Sequence, residues 1–306
     1  MDAAAVRANP SPRTKYGPTV EYRLRPGRPD DASECGRICY EAFRAVAEAH
    51  GFPPDFPSAD VAAVRLGALL SLAGTRGVVA ERAVDGAIVG SVFVHDRWPI
   101  ASIGPITVDP ADQNRGVGRL LMQDVMAWAE GRGFPSVRLV QAAYHNRSLS
   151  LYATLGFDAV EPLPAMQGPP IQRGVAGRRV RAATEADIAV CNDLCSRAHG
   201  FARGFEIERA VESGSALMVE RDGGPVGYST GVGFWQHTVA DSNDDLVALI
   251  DAAKAFDGPG FLLPTRNGDV LRWCLDHGLR IVMPMTLMST GWYQEPAGAY
   301  LPSIGF

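Results

Sequence analysis

The sequence of 306 residues lacks the features that mark several broad classes of protein. No apolar run approaches the roughly 18 residues that a membrane span needs, and residues 1–17 lack the apolar stretch of a signal peptide. Basic residues are not in excess, since the formal net charge is -5. That balance gives no electrostatic footprint for nucleic acid and mildly favours cationic substrates such as amines. We therefore expect a cytoplasmic protein with no nucleic-acid and no membrane partner.

Cysteine is also scarce, and its pattern argues against covalent or metal cross-links. The chain has five cysteines, an odd number without a secretion signal, so a disulfide framework is not expected. Cys35 with Cys39, and Cys191 with Cys195, would each lie one turn apart on a helix face. No other Cys or His cluster has matching ligand spacing, so we expect buried packing and no metal. A Gly-x-Ser-x-Gly elbow is absent too, which argues against a serine hydrolase.

These cysteines belong to an internal repeat with a constant offset of 156 residues. In both copies the segment predicts a strand, a turn and a helix. The first copy has Arg25, Asp31, Cys35 and Cys39, and the second has, in the same order, Arg181, Asp187, Cys191 and Cys195. A Pro/Gly-rich stretch separates the copies. We predict an α/β (α+β) chain of two mixed β-sheets flanked by helices, each copy ordered β-α-α-β-β-β-α-β-α-β. Its predicted parts are a flexible tail (1–19), a first domain (20–165), a linker (166–177) and a second domain (178–306).

The most informative segment follows a predicted strand, Ile100–Val108. A glycine-bearing turn leads there into a predicted helix over about residues 116–131. Gly116 and Gly118 would leave a gap above the helix N-terminus, where free N–H groups and the positive end of the dipole can hold a phosphate or pyrophosphate. No Lys-Ser/Thr follows the second glycine, so a nucleotide P-loop is excluded, and only two glycines of a dinucleotide fingerprint are in register.

A second motif lies about 30 residues further on, after a predicted strand over 136–140. Residues 146–157 read Asn-Arg-Ser-Leu-Ser-Leu-Tyr-Ala-Thr-Leu-Gly-Phe. Asn146 is a plausible helix N-cap and Gly156 a plausible left-handed residue after the helix end. This motif and Gln113-x-x-Gly116-x-Gly118 together resemble, over about residues 20–165, the GCN5-related N-acetyltransferase (GNAT) superfamily, and the doubled chain resembles its bacterial two-domain members.

The resemblance implies a function and a set of site residues. It implies transfer of an acetyl group from acetyl-CoA to a primary amine, on a small molecule or a peptide, by direct attack in a ternary complex. Tyr152 would be the general acid for the departing thiolate, and a strand N–H would polarise the thioester carbonyl. The cofactor-binding residues that it implies are Ile106, Val108, Gln113, Asn114, Arg115, Gly116, Val117, Gly118, Arg119, Asn146 and Tyr152.

The general base stays open. Many relatives carry a glutamate on the strand before the glycine turn, and Ile100–Val108 has none. His95 and His50 are the candidates that we name, because imidazole titrates near neutral pH; a water chain is the alternative. The loop from His50 to Phe56 and the second domain would shape the acceptor site. The missing carboxylate also leaves room for a second reading, a non-catalytic acyl-CoA-binding sensor.

The second copy is predicted to be degenerate. Where its cofactor loop should stand, residues 237–246 contain no glycine and three carboxylates, which would repel a pyrophosphate. Trp273 stands at the position that matches Tyr152 and cannot donate an O–H proton. We expect this copy to wall the substrate cleft or to form a homodimer surface, with a regulatory small-molecule site as the alternative.

Overall fold

The computed structural model describes residues 21–305, and its elements follow the predicted order in both halves; the predicted tail over 1–19 lies outside the described residues. The first half contains β1 (Tyr22–Pro26), α1 (Ala32–Ala49), α2 (Ala59–Leu70), β2 (Thr75–Arg82), β3 (Ile88–Arg97), β4 (Ile100–Val108), α3 (Val117–Gly131), β5 (Ser136–Ala142), α4 (Asn146–Thr154), β6 (Asp158–Pro162) and β7 (Ala165–Gln167). The second half contains β8 (Arg179–Ala182), α5 (Ile188–His199), α6 (Gly204–Glu212), β9 (Leu217–Arg221), β10 (Gly224–Ser229), β11 (Thr238–Ala240), α7 (Asn243–Asp251), β12 (Phe261–Leu262), α8 (Gly268–Asp276), β13 (Arg280–Met283), β14 (Met285–Gly291) and β15 (Ala299–Leu301). The predicted α/β architecture of two mixed-sheet units flanked by helices is confirmed.

The internal repeat is visible at the level of single contacts. In each half a guanidinium binds the carboxylate six residues ahead of it and a second carboxylate on the neighbouring strand. The pairs are Arg25 with Asp31 (2.8 Å) and Glu81 (2.6 Å), and Arg181 with Asp187 (2.7 Å) and Glu220 (2.7 Å). In the first half the hydrogen bond from Arg25 holds the pKa of Asp31 below its usual value. The same charge network therefore joins the first strand, the first helix turn and the hairpin in both copies.

The cysteines of the repeat are packing residues. All five are free and buried, and those of α1 and α5 face the sheets alongside Ile38 and Leu194. Burial raises the pKa of the Cys35 thiol to about 11. These thiols therefore stay protonated at neutral pH and are poor nucleophiles.

Each half contributes one strand to a sheet of the other half. The large sheet has the order β1-β2-β3-β4-β5-β14-β6, so a strand from the second half lies between two strands of the first. In return β7 lies between β12 and β13 in a three-stranded sheet. Such pairing satisfies backbone groups that would otherwise form exposed edges. The exchange ties the halves together across the segment predicted as a linker, and the predicted domain boundaries remain a prediction.

The local features that carry the site agree with the sequence to within a residue. The strand β4 has the predicted bounds, and α3 begins at Val117 behind Gly116, which has a φ of 89°. Gly156 has a φ of 90° after α4, as predicted. The predicted N-cap at Asn146 is wrong by one residue. The carbonyl of His145 already accepts from Leu149 (3.2 Å), so His145 is the cap and Asn146 is the first helical residue.

Candidate functional site

The central feature is a gap between β4 and β5. These parallel strands pair from Ile100 with Ser136 to Ile103 with Leu139, and no pairing between them continues beyond that point in the described chain. The remainder of β4, which contains the predicted residues Ile106 and Val108, stays paired with β3 on its other side. The gap opens into a cavity of about 1180 Å³ lined by both halves of the chain.

One end of the cavity is the glycine turn. Asn114 and Gly116 both have positive φ values, 63° and 89°, which turn the chain sharply into α3. The N–H groups of Val117, Gly118 and Arg119 have no acceptor within the described residues. A Cβ built on Gly118 would lie 3.6 Å from Leu151 and 3.8 Å from Val108, so any side chain there would enter the cavity. These features fit an anion with several oxygens, such as a diphosphate.

The side chains of the turn mostly hold its shape. Gln113 donates to the carbonyl of Val108 (3.1 Å) and accepts from Arg147 (2.7 Å). Arg147 also donates to Asn114 (3.1 Å), so this first-turn residue of α4 clamps the turn while lining the cavity. Arg147 is not among the predicted site residues, although its position directly after Asn146 in the second motif indicates a place near the glycine turn.

The other predicted cofactor residues fall into two groups. Val117 and Arg119 line the cavity, and Arg119 donates to Thr154 (2.8 Å). Arg115 and Asn146 are not among the lining residues. The Arg115 side chain interacts with the hydroxyl of Tyr22.

Tyr152 lies where α4 meets the gap. It is 6% exposed, belongs to the core of the first half and also lines the cavity. Burial raises the pKa of its phenol above the usual value. The hydroxyl therefore remains protonated at neutral pH, which is the state that a proton donor needs.

The two histidines named as candidate bases have different surroundings. His95 lines the cavity, but its Nε2 lies 3.1 Å from the carbonyl of Gly104 and its Nδ1 lies 2.9 Å from the hydroxyl of Thr75. Since a carbonyl only accepts, Nε2 carries the proton, and Nδ1 accepts from Thr75. Burial lowers the pKa of His95 to about 4. His50 is exposed, is not a lining residue, and bonds the carbonyl of Val46 (2.8 Å).

A carboxylate that the sequence analysis did not name also faces the cavity. Asp55 lies in the loop between α1 and α2, and no hydrogen bond or ion pair within residues 21–305 engages it. Burial raises its pKa to about 6, and its charge contributes to the raised pKa of nearby Tyr144. In the sequence, Asp55 is marked as a site residue by one feature, its place in the loop that is expected to border the acceptor site.

The far end of the cavity is built jointly by both halves. Glu206 on α6 bonds Arg97 of β3 (2.7 Å), Arg203 (2.6 Å) and the Nδ1 atom of His237 (3.1 Å). Burial opposes ionisation of Glu206, yet Arg203 and Arg97 hold its pKa well below the usual value. The cluster is therefore a fixed anion held between cations. Arg65 of α2 lies nearby and stacks 5.0 Å from the ring centroid of Trp235.

In the second half the matching position is closed. Ser242 caps α7, and the fully buried Asp245 binds Arg178 (2.9 Å) and Arg221 (3.0 Å). The strand β15 pairs along β11, on the side where the first half has its gap. No residue of α7 lines the cavity. One of the three carboxylates of this segment, Asp245, thus anchors a buried helix, and the place of a second gap is filled by the chain itself.

Comparison with known proteins places these features in a family context. Residues 43–157 match the family model described as the acetyltransferase (GNAT) family. A presumed acetyltransferase from Pyrococcus horikoshii has a similar structure over 94% of this chain and 96% of its own, with a TM-score of 0.70 at 17% identity. No curated protein matches.

Two further structures are similar over most of their length. A GCN5-related N-acetyltransferase from Sphaerobacter thermophilus matches 90% of this chain and 97% of its own, with a TM-score of 0.61 at 15% identity. A tandem GNAT protein from the clavulanic acid biosynthesis pathway matches 89% of this chain and 98% of its own, with a TM-score of 0.56 at 16% identity. At such identities the likeness establishes the doubled fold. Within residues 21–305, no helix is long and apolar enough to cross a membrane.

Proposed function

Because residues 43–157 match the model of the acetyltransferase (GNAT) family, we propose that the chain acetylates a primary amine with acetyl-CoA, by direct attack in a ternary complex. The observation that carries the proposal is a single cavity that joins a bare helix N-terminus to an unpaired strand edge. The first is a site for a diphosphate, and the second offers N–H groups to a carbonyl oxygen.

The first half supplies the cofactor site. The N–H groups of Val117, Gly118 and Arg119 would bind the diphosphate, with added charge from Arg119 and Arg147. The free edge of β4 from Gly104 to Val108 would hold the pantetheine arm. Acetyl-CoA supplies a thioester, whose acyl carbon is the electrophile. The absence of a Cβ at Gly118 leaves room for the diphosphate at the helix N-terminus.

Tyr152 would protonate the departing sulfur. When the amine nitrogen bonds to the acyl carbon, the C–S bond breaks and the thiolate needs a proton. A thiol has a pKa near 8.5, so its thiolate leaves fairly well unaided, and general acid catalysis would contribute about 10²-fold.

Asp55 would accept the proton that the amine must lose before attack. It is the carboxylate in the cavity that no cation neutralises among the described residues, and its pKa of about 6 leaves it ionised at neutral pH. A base with a pKa near the working pH is favoured by the balance of protonation state and driving force. His95 remains a prediction as the base, although Thr75 occupies its lone pair. His50 also remains a prediction, and it lies outside the cavity lining.

A direct test combines binding with turnover. Calorimetry should give one acetyl-CoA per chain, and thiol release on a broad amine panel should identify acceptors. Gly118→Asp should remove both signals while the thermal unfolding transition persists. Full acetyl-CoA affinity in that variant would show that the cofactor site has been placed wrongly.

The absence of a carboxylate on β4 favours a second candidate, an acyl-CoA-binding sensor without catalysis. This candidate shares the cofactor site and differs in the chemistry. Tight binding of acetyl-CoA without thiol release on any amine would support the sensor. Turnover that depends on Tyr152 would exclude it.

A further inference from the structure

We propose that the far end of the cavity binds an anionic group of the acceptor, so that the amine substrate also carries a carboxylate or a phosphate. This inference rests on the proposed acetyl transfer and adds the class of acceptor. Its central residue is Arg65, which has no carboxylate partner in the part of the chain that the structure describes.

The position of the site follows from the direction of β4. Arg97 pairs with Ile100 at the start of this strand, whereas the glycine turn follows its end at Val108. With a rise of about 3.3 Å per residue, the two ends are roughly 25 Å apart. A diphosphate bound at the turn is therefore remote from Arg97, and the cations at the far end face the side from which an acceptor would enter.

The charges at this end do not balance. Glu206 is shared by Arg97 and Arg203, which leaves one positive charge in excess. Arg65 on α2 and Arg209 on α6 add two further guanidinium groups, and neither forms an ion pair within residues 21–305. Arg65 is exposed at the cavity wall, and incomplete solvation there, followed by the charge of Arg209, lowers the pKa of its guanidinium.

Arg65 and Arg209 are exposed to solvent in the free protein, so their N–H groups are accessible to a ligand. A group of neighbouring cations without carboxylate partners favours a bound anion over a neutral or cationic group. The Arg65 guanidinium lies over the Trp235 ring, 5.0 Å from its centroid, and this cation–π contact restricts the freedom of the side chain. Asp55, which carries no cation partner, would meet the ammonium group of the same substrate.

The test uses matched acceptors on the intact protein. L-amino acids are compared with their amides, and O-phosphoethanolamine with ethanolamine, at saturating acetyl-CoA. We expect kcat/KM to be about 10- to 150-fold higher for the anionic member of at least one pair. The two pairs distinguish a carboxylate from a phosphate. Arg65→Gln should remove the preference through KM, and Arg65→Lys should restore it in part.

Arg44→Gln is the matched control, because Arg44 also stacks on an aromatic ring but does not line the cavity. It should keep the wild-type preference. Equal kcat/KM within both pairs, or an unchanged preference in Arg65→Gln, would overturn the inference while leaving acetyl transfer intact. If no amine is acetylated, the proposed function fails. Calorimetry on CoA-saturated protein then decides: binding of an L-amino acid or of O-phosphoethanolamine that is lost in Arg65→Gln supports the anion site, and no binding of either compound overturns it.

Discussion

Replacement of Gly118 by aspartate distinguishes an effect on folding from an effect on cofactor binding, because it should preserve or raise the stability of the fold and lower the affinity for CoA. The position lies in the first turn of α3, where a Cβ makes only ordinary contacts, 3.6 Å from Leu151 and 3.8 Å from Val108. A carboxylate at a helix N-terminus stabilises the helix by about 0.3–1 kcal/mol, and loss of a helical glycine adds a similar amount. The melting temperature should therefore stay the same or rise by about 1–3 °C.

Binding should fall sharply in the same variant. Two unit charges about 5 Å apart repel by about 3 kcal/mol at an effective dielectric constant of about 20. A carboxylate at Gly118 would impose at least this energy on a bound diphosphate, which corresponds to a loss of more than about 100-fold in affinity. Isothermal titration with CoA measures the loss directly.

The matched control is Gly118→Asn, which has the same shape without the charge. We expect it to weaken CoA binding by about tenfold or less, as a steric effect alone. If the aspartate and asparagine variants bind CoA equally well, charge at this helix terminus is irrelevant and the reasoning is refuted. An unchanged affinity in both would remove the phosphate site altogether.

Three other variants test the remaining parts of the account. Tyr152→Phe should lower kcat by about 10² with little change in acetyl-CoA affinity, since the hydroxyl acts only on the departing thiolate; an equal loss of affinity would contradict this role. For Asp55, whose pKa is raised to about 6, kcat/KM should rise with pH and level off above about 6. Folding favours the protonated form of the Asp55 carboxyl group. Its contribution to the free energy of unfolding is therefore fully present below the unfolded pKa near 3.9 and is lost as pH rises through 6. Asp55→Asn should therefore abolish the fall of kcat/KM at acidic pH. It should also stabilise the protein at pH 8 by on the order of 1–2 kcal/mol in chemical denaturation. The control Asp60→Asn, on the exposed start of α2, should have neither effect. Asp245→Ala should cost about 3–5 kcal/mol of unfolding free energy, because it leaves Arg178 without its buried partner; a changed CoA stoichiometry would contradict a purely structural role for α7.

Local signals made the glycine turn and the elements on either side of it predictable. Gly116 with its φ of 89°, the apolar strand before it and the helix of the second motif, which ends before Gly156, are each indicated by a few neighbouring residues. The repeat was equally readable, because Arg25 and Arg181 keep the same partners at the same spacing. Such features need only local sterics and short-range electrostatics.

The rest of the site depends on contacts that are distant in sequence. The apolar pattern of β14 predicts a strand, but nothing in it specifies insertion between β5 and β6. The proximity of Asp55 to Tyr144, and the contact of Arg65 with Trp235, 170 positions away, arise only when the chain folds. Histidine was named as the base because of its intrinsic pKa, whereas the surroundings lower the pKa of His95 and raise that of Asp55.

A crystal structure of the protein with bound CoA would show whether the glycine turn binds the diphosphate of the cofactor. We predict a single CoA per chain, with its diphosphate oxygens within hydrogen-bond distance of the N–H groups of Val117, Gly118 and Arg119 and its pantetheine along the free edge of β4. Density for CoA at the start of α7, or at any site away from the β4–β5 gap, would contradict the account.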